Sequence, residues 1–292
     1  MKRIGKESRL PDPRARAPQA AGPVFALLDA HCHLDHMGGA EELAQAALAQ
    51  NIGICCATVT PAEFRAARKR FQGLPNVCVG AGLHPWWLAD GRATGDDVDA
   101  LVLQVTRTPF VAEVGLDFSG PRAASASVQL AALESVAEAC ATWPVAGRVL
   151  SLHAVRAADD VLSILERYDL ARNAACIFHW FSGTSDELVR ARRAGCYFSV
   201  NARMLESKRG RAYAQAVPAG RLLLETDAPA VFDEPLAFEE WHRELEGALT
   251  RLAALRGTEP EALAEEMAAT AGTVFSACFT GAEEGRSEEE QA

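Results

Sequence analysis

Eight short apolar runs, set between longer amphipathic stretches, constrain the fold of this chain most. The runs are Val24–Leu28, Ile52–Thr58, Val77–Gly80, Phe110–Glu113, Arg148–Leu152, Ala175–Phe178, Cys196–Val200 and Arg221–Glu225. They read as strands. Helical patterns fill the gaps at Ala40–Gln50, Pro61–Phe71, Asp96–Thr106, Ser125–Thr142, Ala157–Tyr168, Ser185–Ala194 and Glu206–Ala216. Ser185 and Asp186 stand where capping residues belong. Two further helices, Ala237–Leu255 and Pro260–Cys278, follow the last strand. Regular strand–helix alternation implies parallel pairing with right-handed crossovers. Eight units predict an α/β fold with a single closed (β/α)8 barrel. A doubly wound open sheet competes, but no G-x-G-x-x-G phosphate loop follows the first strand.

Composition narrows the function. The 292 residues are 49% hydrophobic and 23% charged, which excludes a wholly disordered chain. No 18-residue apolar run is present, so no membrane span is expected. Lys and Arg number 29 against 39 Asp and Glu, for a net charge of −10. Such a chain is not expected to hold duplex DNA by bulk electrostatics, so a polyanionic substrate needs a local site. Residues 1–22 are basic, without the apolar core of a secretory signal, and read as a disordered arm. Residues 281–292 read as a loose acidic tail, which leaves 23–280 as the barrel. The eight cysteines form no C-x-x-C pair and are expected to be buried thiols in a reducing cytoplasm.

In such a barrel the chemistry collects where strands end. Five of the seven histidines fall there: His31, His33, His84, His153 and His179. His31 and His33 are two apart on an extended segment, so their side chains share a side. Glu113 and Asp227 close two other strands. Together His31, His33, Glu113, His153, His179 and Asp227 could hold two divalent ions around a shared carboxylate. Imidazole and carboxylate ligands without thiolate admit Mg, Mn, Fe or Zn. Asp29, Asp35 and Asp117 lie beside these ligands and are expected to orient them or pin their loops. His36 and His242 are given no function.

The motifs DAHCHLD, GLHP, EVGLDF, LHAVR, FHWFSG and LLLETDAP resemble those of TatD-type metal-dependent hydrolases, from about Asp29 to Thr273. The resemblance implies an amidohydrolase-like (β/α)8 barrel of TIM type and divalent-metal-dependent DNase activity, often 3′-to-5′ on single strands. It implies that His31 and His33 form one metal pair, Glu113 bridges, and His153 and His179 serve the second metal. Asp227 then binds metal and handles the nucleophilic water, and His84 is a site histidine; Asp227, Glu113 and His84 are the expected catalytic residues. The chain departs from the family after its TDAP motif, with Phe232-Asp233-Glu234-Pro235 in place of an Arg-Asn-x-Pro turn. HWFSG, YFSVN and MLESKRGR are closer to the TatD-like member of Qat anti-phage defence cassettes, which implies partner proteins from such a cassette and an antiviral role.

Arg156, Asn201, Arg203 and Lys208 follow strands five and seven and are the expected substrate contacts, with Arg209 and Arg211 on the same rim or on a solvated helix face. Trp86, Trp87, Trp180 and Phe181 lie near that rim, either stacking on unpaired bases or packing in the core. The ligand set alone fits a DNase as well as a hydrolase of another ester or amide link such as aminoacyl-tRNA. A non-catalytic binding subunit is the third reading, and the intact ligand set weighs against it.

Overall fold

The computed structural model describes residues 24–280. The arm expected over 1–22 and the acidic tail expected over 281–292 lie outside the described residues. The strands are β1 (Leu27–Cys32), β2 (Ile52–Ala57), β3 (Val77–Gly80), β4 (Phe110–Asp117), β5 (Val149–Val155), β6 (Ala175–His179), β7 (Tyr197–Val200) and β8 (Leu222–Leu224). The helices are α1 (Ala40–Ala49), α2 (Pro61–Arg70), α3 (Pro85–Ala89), α4 (Gly95–Val105), α5 (Ala126–Thr142) and α6 (Ala158–Arg167). They continue with α7 (Leu170–Asn173), α8 (Ser185–Ala194), α9 (Lys208–Ala216), α10 (Phe238–Arg256) and α11 (Pro260–Thr280). None of these helices is long and apolar enough to cross a membrane.

Two parallel ladders, β1-β2-β3 and β4-β5-β6-β7-β8, make the barrel wall. Backbone hydrogen bonds join them at both seams. Ala81 N–H donates to Phe110 O at 3.0 Å, and Ala112 N–H to Ala81 O at 2.9 Å. At the other seam Asp227 N–H donates to His31 O at 2.9 Å, and His33 N–H to Ala228 O at 2.7 Å. Fully buried Asp29 locks that seam, accepting from Thr226 N–H at 3.0 Å, Thr226 Oγ1 at 2.6 Å and Trp241 Nε1 at 2.9 Å. Residues at the strand starts, among them Leu28, Phe110, Val149 and Ala175, fill the barrel floor with Val274, Phe275 and Phe279 of α11. The extra C-terminal helix thus closes the end at the strand starts, opposite the C-terminal ends of the strands.

Two register breaks position the site. Asp29 pairs with Ile54 and Cys32 with Cys56, so β1 carries one residue more than β2 in that interval. Likewise Val111 pairs with Leu150 and Val114 with Leu152 across β4 and β5. An extra residue reverses which side chains face inward. Ala30 and Ala112 pack into the barrel interior, and after each break the next residue, His31 or Glu113, also points inward.

The expected cap of α8 is corrected. Thr184, not Ser185, is the N-cap, with a reciprocal capping box to Glu187. The first strand begins three residues later than the apolar run predicts and extends past His31 to Cys32. The loop carrying Phe232-Asp233-Glu234-Pro235 docks on the turn after β1, through Asp233 N–H to His36 O at 2.8 Å and Gly38 N–H to Glu234 O at 3.0 Å. All eight cysteines are buried and unbridged, as expected.

Candidate metal centre

Glu113, buried on the inward side of β4, sits between two groups of ligands. Its Oε2 lies 3.4 Å from His31 Nε2 and 3.5 Å from His33 Nε2. Its Oε1 lies 2.7 Å from His153 Nδ1 and 2.6 Å from His179 Nε2. Asp227 Oδ1 joins the first group, 3.8 Å from His31 Nε2 and 3.6 Å from His33 Nε2. The six residues expected as ligands therefore converge, although they come from five strands. Burial favours the neutral form of Glu113, but His84, His179, His31 and His153 outweigh it and hold its pKa well below the carboxylate range.

The imidazoles are aimed by partners on their far nitrogens. His33 Nδ1–H donates to Ala57 O at 2.8 Å, which turns Nε2 toward the carboxylates. His31 Nδ1 lies 2.7 Å from Ser151 Oγ, on the opposite wall. Asp117 Oδ2 lies 3.2 Å from His153 Nε2. Among the described residues, buried His31 Nε2 has no hydrogen-bond partner and faces Glu113 and Asp227, and His179 Nδ1 is likewise unpartnered, 3.9 Å from Glu225 Oε1. An unpaired buried nitrogen pointing at a carboxylate cluster needs a ligand, and the all-nitrogen, all-oxygen donor set suits a divalent cation.

His84 differs from the others. It is the N-cap of α3, before Pro85 at the first helical position. Its Nδ1 accepts from Trp86 N–H at 3.1 Å, so a neutral ring carries its proton on Nε2. That Nε2 faces Glu113 Oε1 at 3.5 Å. Burial pushes the pKa down to about 3, so the ring stays neutral. It presents a donor to the site where a metal ligand would present a lone pair.

The expected rim residues separate. Arg203 Nη2 donates to Asp227 O at 2.8 Å and to Thr226 O at 3.2 Å, which fixes it beside the centre. Asn201 is buried, with Nδ2 on Glu225 Oε1 at 2.8 Å and Oδ1 accepting from Met204 N–H at 2.8 Å. Its amide is thus spent on bracing. Arg156 and Lys208 are exposed, on the β5–α6 loop and the first turn of α9. Of the aromatic residues, Phe181 packs in the core against Phe178, Phe198 and Tyr213. Asp117 is confirmed beside His153, whereas Asp29 braces the seam and His31 N–H. Asp35 and His36 instead gather with Glu63 in a separate cluster.

Two residues escaped sequence reasoning. Ser151 orients His31; the signal was its place two residues before His153, inside an apolar run. Glu225 is fully buried and accepts from Ser199 Oγ, Asn201 Nδ2 and Trp180 N–H. Burial raises its pKa to about 7. Its Oε1 lies 3.9 Å from His179 Nδ1, and its spacing two before Asp227 was the available sign.

A closed parallel barrel thus gathers imidazoles around one glutamate at its strand ends, the donor set of a divalent-cation site. The family described as TatD related DNase matches residues 28–276. This chain belongs to the TatD family of DNase-related hydrolases. It is similar to the 3′-5′ ssDNA/RNA exonuclease TatD of Citrobacter rodentium, 29% identical over 226 residues, covering 73% of this chain and 82% of that one. The same-named protein of Edwardsiella piscicida is 33% identical over 165 residues, covering 54% and 60%. Among solved structures, the TatD homolog YJJV of Escherichia coli K12 superposes with a TM-score of 0.70 at 23% identity, covering 86% of this chain and 98% of that one. A TatD family hydrolase of Entamoeba histolytica superposes with a TM-score of 0.68 at 14% identity, covering 86% and 98%.

Proposed function

We propose that this protein is a deoxyribonuclease that uses two divalent ions, Mg, Mn or Zn, to hydrolyse DNA phosphodiesters, acting exonucleolytically on single strands. The observation that carries this reading is Glu113, whose Oε2 faces His31 and His33 while its Oε1 faces His153 and His179. His31, His33 and Asp227 would hold one ion, His153 and His179 the other, with Glu113 between. Such ions supply an acidified water and neutralise phosphate charge. The single-strand exonuclease names of the relatives support the substrate.

The residues divide the remaining work. Asp227 is held anionic, because His33, His179 and His31 outweigh its burial, and it accepts the proton of the attacking water. Arg203 fixes the backbone of Asp227 and so its aim. His84 offers its Nε2–H to a phosphate oxygen. Glu113 orients the imidazoles on both sides. Arg156 and Lys208 meet the phosphates further along the strand, and Asn201 acts through Glu225.

The test is cleavage of labelled single- and double-stranded DNA by wild type, Glu113→Ala and Asp227→Ala. Loss of a metal-dependent wild-type activity in both variants is expected; equal background rates from all three would remove the nuclease reading. The likeness of HWFSG, YFSVN and MLESKRGR further supports a cytoplasmic role in a Qat-type anti-phage cassette, beside that cassette's other proteins. Co-purification with the products of neighbouring reading frames, and loss of phage protection in Asp227→Ala, test it.

A further inference from the structure

Two tryptophans on the rim are tied to the centre by hydrogen bonds, and each carries a guanidinium on its ring. Trp86 is 36% exposed, high for an indole. It is not loose. Its Nε1 donates to Asp117 Oδ2 at 2.5 Å, the carboxylate oxygen that also faces His153. The ring meets His84 edge-on at 5.0 Å. Arg122, from the loop after β4, lies over it at 4.0 Å. Among the described residues Arg122 makes no ion pair. Trp180 follows β6, three strands further round. Its N–H is held by Glu225 Oε1 at 3.1 Å, and its backbone takes φ 39°, which side-chain-bearing residues rarely adopt. Arg203 lies 4.7 Å over its ring. Arg203 also faces Asp227 Oδ2 at 3.5 Å, so it stands beside the centre, whereas in a third pair, Arg92 over Trp87, the guanidinium is held by exposed Asp90 at 2.6 Å.

Trp180 is half-buried against the core and Trp86 is the more exposed ring. An accessible indole held in place loses little freedom when a flat ligand lands on it. A guanidinium in van der Waals contact with that indole adds a second stacking plane and a cation. Both features suit a nucleobase with its phosphate and suit a duplex poorly, since paired bases hide their faces.

We infer that Trp86 with Arg122 and Trp180 with Arg203 form two base-stacking subsites flanking the scissile phosphate, so that the site takes unpaired nucleic acid with bases on both sides of the bond. The inference rests on the proposed nuclease reading and adds where the bases sit. It also bears on how an acidic protein selects a polyanion: Arg122 and Arg203, each over an aromatic ring, add local positive charge beside the centre.

The experiment measures quenching of tryptophan fluorescence in the full-length, metal-loaded protein by a phosphorothioate dT oligomer, which resists turnover. The same oligomer with abasic sugars and its duplex serve as comparisons. Trp86→Leu and Trp180→Leu are each expected to weaken binding of the dT oligomer by about tenfold. Neither should alter binding of the abasic oligomer. Trp86→Phe and Trp180→Phe, which keep an aromatic face, should recover most of the affinity. Equal losses on both oligomers, or no loss on either, would overturn the inference. Cleavage of DNA with no effect of these variants would leave the nuclease reading and remove the subsites. Base-dependent quenching without any cleavage would do the reverse.

Discussion

His31 Nδ1 and the hydroxyl of Ser151 meet at 2.7 Å across the barrel, from β1 to β5. The contact fixes the ring that presents its unpaired Nε2 to Glu113 and Asp227. Removing the hydroxyl frees the ring and strands a buried nitrogen. Ser151→Ala is expected to weaken divalent-metal binding by about 10- to 100-fold with the fold intact. Calorimetric titration with Mn or Zn checks this; unchanged affinity would show that Ser151 does not orient the ligand.

Metal uptake should depend on pH through His33 and His153. Burial pushes both down, but carboxylates outweigh it: Asp227 and Glu113 hold His33 at about 9, and Asp117 and Glu113 hold His153 at about 9. These values are raised above 6.5, so in the metal-free protein the charged rings stabilise the fold fully below that pH. That contribution fades as pH climbs through about 9. Entering cations must displace the same protons, so metal affinity should rise between neutral pH and about 9. Melting temperatures of metal-free protein and metal affinities, both against pH, should move in opposite directions. Two flat profiles would contradict the assignment.

Asp29 is the clasp of the β1–β8 seam, with Thr226 and Trp241 both on its carboxylate. Asp29→Ala leaves several buried donors unpaired, each costing about 1–3 kcal/mol. A loss of about 3–5 kcal/mol in urea unfolding is expected. A loss below about 1 kcal/mol would mean that the seam holds without it.

Gly82 has no room for a side chain. An added Cβ would lie 1.9 Å from Thr58 O and 2.3 Å from Glu113 N, both backbone atoms that cannot swing away. Gly82→Ala should cost about 3 kcal/mol or more and displace Glu113, so metal binding falls with stability. Wild-type melting and metal affinity in this variant would refute the close approach.

Much of this arrangement was legible in the sequence because strand ends and ligands coincide. The apolar runs marked eight strands, and the spacing of His31 and His33 put both rings on one side. Which side they took was not legible, because the register breaks in β1 and β4 leave no residue signature in a run where Ala30, Ala112 and their neighbours all suit burial. Helices α3 and α7 span five and four residues, too few to show a 3.6-residue period. The rim was the weakest reading. Proximity in sequence suggested Asn201 for substrate and left Phe181 open between stacking and the core; Asn201 has its amide engaged and Phe181 packs in the core. Arg122 follows β4 rather than β5 or β7, and only the structure sets it over Trp86.

The central claim is that one carboxylate, Glu113, serves both groups of imidazoles. Elemental analysis of wild type and Glu113→Ala after equilibration with Mn, Mg or Zn tests it most directly. The expected result is about two ions per wild-type chain and loss at both positions in the folded variant. Wild type that takes up no divalent ion, or Glu113→Ala that retains its full complement, would contradict the account.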